Sequence, residues 1–164
     1  GTRGRVQNDR PVVGVYGVHQ AGSGDMYYKG GNMLHTIRQL VGDDARWKAV
    51  LRGLNRDFRH QIVTGEQIEG YIAEHTGLPL NRVFEQYLRV TTIPALEWRI
   101  SGAELSFRWS DAVSGFDMPV PVELNGGAVL TLPATEVWQT MNVPQGTARI
   151  TVDPDYYVAS REVR

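Results

Sequence analysis

The stretch Asp25-Met-Tyr-Tyr-Lys-Gly-Gly-Asn-Met-Leu-His-Thr-Ile-Arg-Gln-Leu-Val-Gly42 decides how the first half of this chain folds. Met33, Leu34, Ile37, Leu40 and Val41 recur at helical spacings and predict one buried stripe, with Thr36, Arg38 and Gln39 on the wet side. Gly42 stands where such a helix would stop. Tyr27 and Tyr28 then fall at or just before the first turn of a core-anchored helix, a rigid mount for a functional phenol.

Working forward, the helical period continues. Asp43 or Asp44 caps a helix inward-faced by Trp47, Val50, Leu51, Leu54 and Phe58. Thr64-Gly-Glu-Gln67 has the form of a capping box, and Ile68, Tyr71 and Ile72 supply the inner face of a short helix ending near His75, with Gly77 and Pro79 behind it. Asn81 is placed to cap a fourth helix carrying Val83, Phe84, Tyr87 and Leu88. Four helices on short polar loops make a helical unit from residue 25 to about 91.

After Ile93-Pro94 the period drops to two. Leu96, Trp98 and Ile100, then Leu105, Phe107 and Trp109, alternate with polar neighbours around a Ser101-Gly102 turn and predict a hairpin with one buried face. Further strands are expected at 118–124, 128–132, 136–143 and 148–152, with Asn125-Gly126-Gly127 as a tight turn. Pro119 and Pro121 predict an edge strand. These elements read as a small antiparallel β-sandwich, so the fold class is α+β, divided into residues 1–91 and 94–164.

Working backward, residues 1–10 read as a polar lead-in without the apolar core of a signal peptide. Pro11 to Val18 read as an extended segment broken by glycines, and His19 to Gly24 as a flexible loop. The first residue is not Met, which points to a processed or excised chain.

The 164 residues hold 17 basic and 18 acidic side chains, a balance that gives no electrostatic case for nucleic acid or an anionic membrane. No apolar run approaches the roughly 20 residues that span a bilayer. The absence of cysteine excludes a disulfide scaffold and a thiolate zinc site.

Most catalytic motifs are excluded by spacing. The histidines at 19, 35, 60 and 75 never form His-Glu-x-x-His, and Glu74-His75 fails the reversed form because residue 71 is Tyr. Ser23 lies between two glycines, but Ala21 and Asp25 break the nucleophile-elbow pattern. Lys29-Gly30-Gly31 lacks the order of a phosphate loop, and Asp43-Asp44 is explained by helix capping.

Tyr27-Tyr28-Lys29-Gly30 resembles the Tyr-x-Lys-Gly element of the aminopeptidase N-like zinc metallopeptidases, a branch of the gluzincins known as peptidase family M-one. Gly42-Asp43-Asp44, Thr64-Gly-Glu-Gln67, Thr76-Gly-Leu-Pro79, Val83-Phe-Glu-Gln-Tyr-Leu88 and Ile93-Pro94 follow in that family's order. The resemblance implies a carboxy-terminal fragment: the last, mainly helical part of a thermolysin-like catalytic domain, then a bracing β-sandwich. It implies that Tyr27 is the transition-state stabiliser, donating its phenolic proton to the oxyanion of the tetrahedral intermediate. Tyr28 is the register alternative, although only Tyr27 has Lys two and Gly three residues on. A phenol with an ordinary pKa of about 10 stays protonated at neutral pH and so is ready to donate.

In that family the zinc ligands, the general-base Glu and the amine-binding Gly-x-Met-Glu-Asn element lie upstream, and none has a counterpart here. The implied partners are therefore a peptide substrate and an upstream catalytic half, with zinc held in the parent and not by this chain. Alone, the chain is expected to be inactive, and to self-associate through apolar area normally covered by the upstream half. The alternative is a non-catalytic protein- or glycan-binding module using Trp98, Trp109, Trp138, Tyr156 and Tyr157, though the alternation of the strands favours core positions for most of them.

Overall fold

The computed structural model describes residues 2–15 and 22–164, and among these the fold is α+β. Helix α1 (Asp25–Val41) ends at Gly42, whose φ of 65° permits the left-handed cap that returns its N–H to the Arg38 carbonyl. Helix α2 (Asp44–Asp57) is capped by Asp43, whose carboxylate accepts from the N–H groups of Ala45 and Arg46. Asp44 instead pairs bidentately with Arg38, both bonds 2.7 Å long. Helix α3 (Gly65–Thr76) carries the complete Thr64/Gln67 capping box. Helix α4 (Asn81–Phe84) passes into a π turn, Glu85–Arg89. Leu80 rather than Asn81 holds the cap position there, with no side-chain cap bond.

The buried face of α1 differs from the apolar stripe that its period predicts. Thr36, expected in solvent, is fully buried, whereas Leu34 is exposed. Beside Gly30, the buried side chains are Asp25, Lys29, Met33, Thr36 and Ile37, recurring at three and four residues, so the helix turns a partly polar stripe inward. Thr36 tolerates this because its hydroxyl donates to the Asn32 carbonyl at 3.0 Å and accepts the Tyr157 N–H at 3.0 Å.

Seven strands follow. β1 (Ala95–Ser101) and β2 (Glu104–Ser110) form the predicted hairpin, placing Leu96 opposite Trp109, Trp98 opposite Phe107 and Ile100 opposite Leu105. β3 (Val120–Leu124) and β4 (Val129–Leu132) flank the Asn125-Gly126 turn, both residues of which have positive φ. β5 (Gln139–Asn142), β6 (Ile150–Val152) and β7 (Ala159–Glu162) complete two sheets, ordered β5-β2-β1-β7 and β4-β3-β6.

Three expectations need correction. β7, which no sequence signal marked, adds a parallel pair to β1, so the sheets are not wholly antiparallel. The proline-bearing strand β3 is central: Pro121 sits one residue beyond the last β6 pairing, Val122 with Val152, where its carbonyl accepts the Asp153 N–H and its missing donor breaks no ladder bond. Residues 11–15 form no strand; the Val13 N–H donates to the Leu88 carbonyl and the Pro11 carbonyl accepts the Ser23 N–H. The rest of that extended segment, and His19 to Ala21 of the loop after it, lie outside the described residues.

The buried apolar side chains form one cluster running from Met33, Ile37, Trp47 and Val50 through Phe84 and Tyr87 to Trp98, Phe107, Trp109 and Val122. Polar groups rivet the place where helices meet sheets. Gln86, fully buried in the π turn, donates to the Thr92 and Asp111 carbonyls and the Thr92 hydroxyl and accepts the Val113 N–H at 2.6 Å. The Tyr87 hydroxyl donates to the Tyr157 carbonyl at 2.6 Å.

Candidate active site at the start of the first helix

Tyr27 and Tyr28 both lie in the first turn of α1, and the structure separates their environments. Tyr27 is 76% exposed. Tyr28 is half-buried under the amino-terminal segment: the Arg5 guanidinium stacks 5.6 Å from its ring centre and one of its nitrogens donates to the hydroxyl at 3.3 Å.

This turn has little local support. Gly24, at the cap position, offers no side-chain bond, and Gly30-Gly31 follow directly, each costing about 1 kcal/mol relative to alanine inside a helix. Neither glycine is demanded by packing, since a Cβ at either position meets nothing within 4 Å.

Order comes instead from buried polar residues on either side of the tyrosines. The Asp25 carboxylate, 2% exposed, accepts the N–H groups of Gln7, at 2.9 Å, and Asn8, at 2.6 Å, clamping the amino-terminal segment across the helix start. Ser23, also buried, donates to Asp9 at 2.5 Å and accepts the Asp25 N–H at 3.1 Å. That bond, ahead of the nearby Arg10, holds the Asp9 carboxyl below its usual range. Ser23 is thus neither part of a flexible loop nor a free nucleophile.

Lys29 is 1% exposed, and its ammonium donates to the Val90 carbonyl at 2.7 Å. Burial lowers its pKa, with Asp25 one turn earlier opposing the shift. The sequence marks Lys29 only within its motif and Asp25 only as a break in the elbow pattern, and neither as a buried anchor. Their signal was an acid and a base four apart on the helix face that also carries Met33 and Ile37.

The other chemical candidates are scattered. His35 faces Asp155 at 3.2 Å, His75 stacks on Tyr71 with ring centres 3.7 Å apart, and His60 sits at φ 59°. Among the described residues no group of three or more His, Cys, Asp or Glu side chains is arranged to hold a metal. Of the proposed contact aromatics, Trp98, Trp109, Tyr156 and Tyr157 are buried; Trp138 is half-buried, with the guanidiniums of Arg99 and Arg108 4.9 Å and 4.8 Å from its ring centre. No helix among the described residues is long and apolar enough to cross a membrane.

An α+β chain with a mounted, exposed phenol is the class that the fold and site define. No family model and no curated protein matches the chain. Among solved structures it is similar to the aminopeptidase A of Legionella pneumophila, determined in complex with aspartic acid, at 13% identity and a TM-score of 0.56. The match covers 81% of this chain and 17% of that one, so the chain spans about a sixth of the neighbour's length and shares the fold of that part.

Proposed function

We propose that this chain is the carboxy-terminal part of an aminopeptidase N-like zinc metallopeptidase that removes amino-terminal residues from peptides, and that Tyr27 is its oxyanion-stabilising donor. Residues 1–91 are then the end of a thermolysin-like catalytic domain and residues 94–164 the sandwich that braces it. The observation that carries this reading is the exposed Tyr27 on a helix turn whose opposite face is locked into the core by Asp25 and Lys29. The shared fold with part of an aminopeptidase supports it.

In the parent, zinc held by residues outside this chain would polarise the scissile carbonyl and activate water. What this chain contributes is a hydrogen-bond donor. The phenol of Tyr27 meets the carbonyl oxygen as negative charge develops on it, and because the turn is already fixed, little reorganisation is needed at that moment. Tyr28, already engaged by Arg5, is the weaker choice for that role. The face bearing Met26, Tyr27 and Leu34 is exposed here, and in this reading the upstream half covers it and the excised chain self-associates through it.

Tyr27→Phe in the intact parent tests the assignment. Turnover is expected to fall by about two to three orders of magnitude, with the fold retained. Unchanged turnover would remove Tyr27 from the mechanism.

A further inference from the structure

We infer that Lys29 is a positioning residue for Tyr27: by anchoring the inner face of the first turn of α1 to the Val90 carbonyl, it fixes the direction in which the phenol projects. The kinetic part of this inference rests on the proposed role of Tyr27; the structural part stands without it.

The helix geometry makes the link direct. Residues two apart are separated by about 200° around a helix, so holding Lys29 inward holds Tyr27 outward. Lys29 is an expensive way to fill a buried site, because an ammonium removed from water loses hydration that an apolar side chain never had. What an apolar residue there would lack is the 2.7 Å bond to Val90, a directional tie to a point immediately after the π turn. A second tie lies beside it, where the Val13 N–H reaches the Leu88 carbonyl. The end of the π turn thus presents two carbonyls, one to the helix start and one to the amino-terminal segment.

The turn depends on such ties because it is otherwise detachable. Its cap residue Gly24 offers no side-chain bond, so in front the Ser23 hydroxyl on the Asp25 N–H serves instead, and behind it are two glycines with open space where a methyl group would go. Residues 25–29 are a short rigid piece joined to the rest of α1 through its two most deformable positions. Without Lys29, what remains is the Asp25 clamp and the Ser23 bond at the start of the turn and a bond at its end from the Asn32 amide to the Tyr28 carbonyl, none of which ties the turn's inner face to the core.

The test compares Lys29→Met, which keeps the length and removes the donor, with Lys29→Arg, which keeps a cation and donors. Amide hydrogen exchange in the 164-residue chain should lose protection over residues 26–29 by at least about tenfold in Lys29→Met while residues 33–41 hold theirs. Lys29→Arg should stay near the parent pattern. Adding Gly31→Ala to Lys29→Met, which stiffens the joint, should restore part of the protection. In the intact parent, Lys29→Met should lower kcat by about ten- to a hundredfold with little change in KM, and should add nothing once Tyr27 is Phe.

Unchanged protection at 26–29, or protection lost evenly along α1 or throughout the chain, would overturn the inference, as would a Lys29→Arg chain no better than Lys29→Met. If Tyr27→Phe leaves turnover intact, the catalytic reading falls while the exchange pattern still decides whether Lys29 orders the turn.

Discussion

Two tyrosines close two corners of this molecule, one inside it and one on its surface. At the junction of helices and sheets the Tyr87 hydroxyl, fully buried, donates to the Tyr157 carbonyl, and burial pushes its phenol well above the ordinary value. At the corner of α2 and α3 the Tyr71 hydroxyl donates at 2.8 Å to Asp57, a carboxylate in contact with water. The junction binds backbone carbonyls and N–H groups that no water would serve if the side chain were lost. The corner binds a charged group that solvent takes over at once. Bonds of similar length should therefore differ in worth, the buried ones costing most when broken.

Gln86→Leu attacks the junction where it is most concentrated. Leucine fits a buried site but strands the Val113 N–H and withdraws the donor from the Thr92 and Asp111 carbonyls. A loss of about 3 kcal/mol is expected, since each buried group left unpaired costs about 1–3 kcal/mol. Denaturant unfolding measures it. A loss under about 1 kcal/mol would mean that the loop at 111–113 closes over the gap and that the junction is no stiffer than the corner.

Tyr87→Phe is the smaller version of the same experiment. It removes one hydroxyl, leaves the ring tilted against that of Tyr157, whose centre is 5.9 Å away, and orphans a single carbonyl. About 1–2 kcal/mol is expected by the same unfolding measurement. Combined with Thr36→Val, which removes the acceptor of the Tyr157 N–H, the effects should exceed the sum of the single changes, because both bonds fix the backbone of the same residue, Tyr157, in the strap before β7.

The contrast also explains what was legible in the sequence. α1, α2 and α3 could be read because their ends are written in local chemistry, Asp43, Thr64 with Gln67, Gly42 and Gly77, each of which acts on its own neighbours. The β1–β2 hairpin was legible for a similar reason, since a period of two needs only one buried face. Illegible were the residues whose partners are distant in sequence. Thr36 looked like a solvent residue because its partner is 121 positions away, and the anchoring role of Lys29 was hidden because its acceptor is 61 away. β7, with almost no apolar content, is held by backbone bonds from Ala159 to Pro94 and from Val163 to Trp98 and by the Trp98 indole donating to Ser160. At the candidate site the exposed Tyr27 was named from its motif, whereas the buried charges that order its turn were not.

The corner supplies the last and smallest effect, one that reads out in pH. Asp57 is held well below its usual carboxylate value, to about 2, first by the bidentate Arg56 and then by the Tyr71 hydroxyl. The same bond raises the Tyr71 phenol. Because the folded carboxyl holds its proton less tightly than the unfolded one, whose pKa is about 3.9, its contribution is complete above that value and is lost as pH falls toward about 2. Tyr71→Phe removes the second cause and leaves the first, so the folded value should rise part of the way back. The melting temperatures of the two chains should differ by a small constant amount above pH 5 and converge as pH is lowered from about 4 to about 2. Convergence would identify the bond as one that depends on charge, as a solvent-exposed tie should. No gap at any pH would mean that Tyr71 works through its stacking on His75 and its edge contact with Phe58, both of which phenylalanine keeps, and that the corner, unlike the junction, is held by packing more than by its hydroxyl.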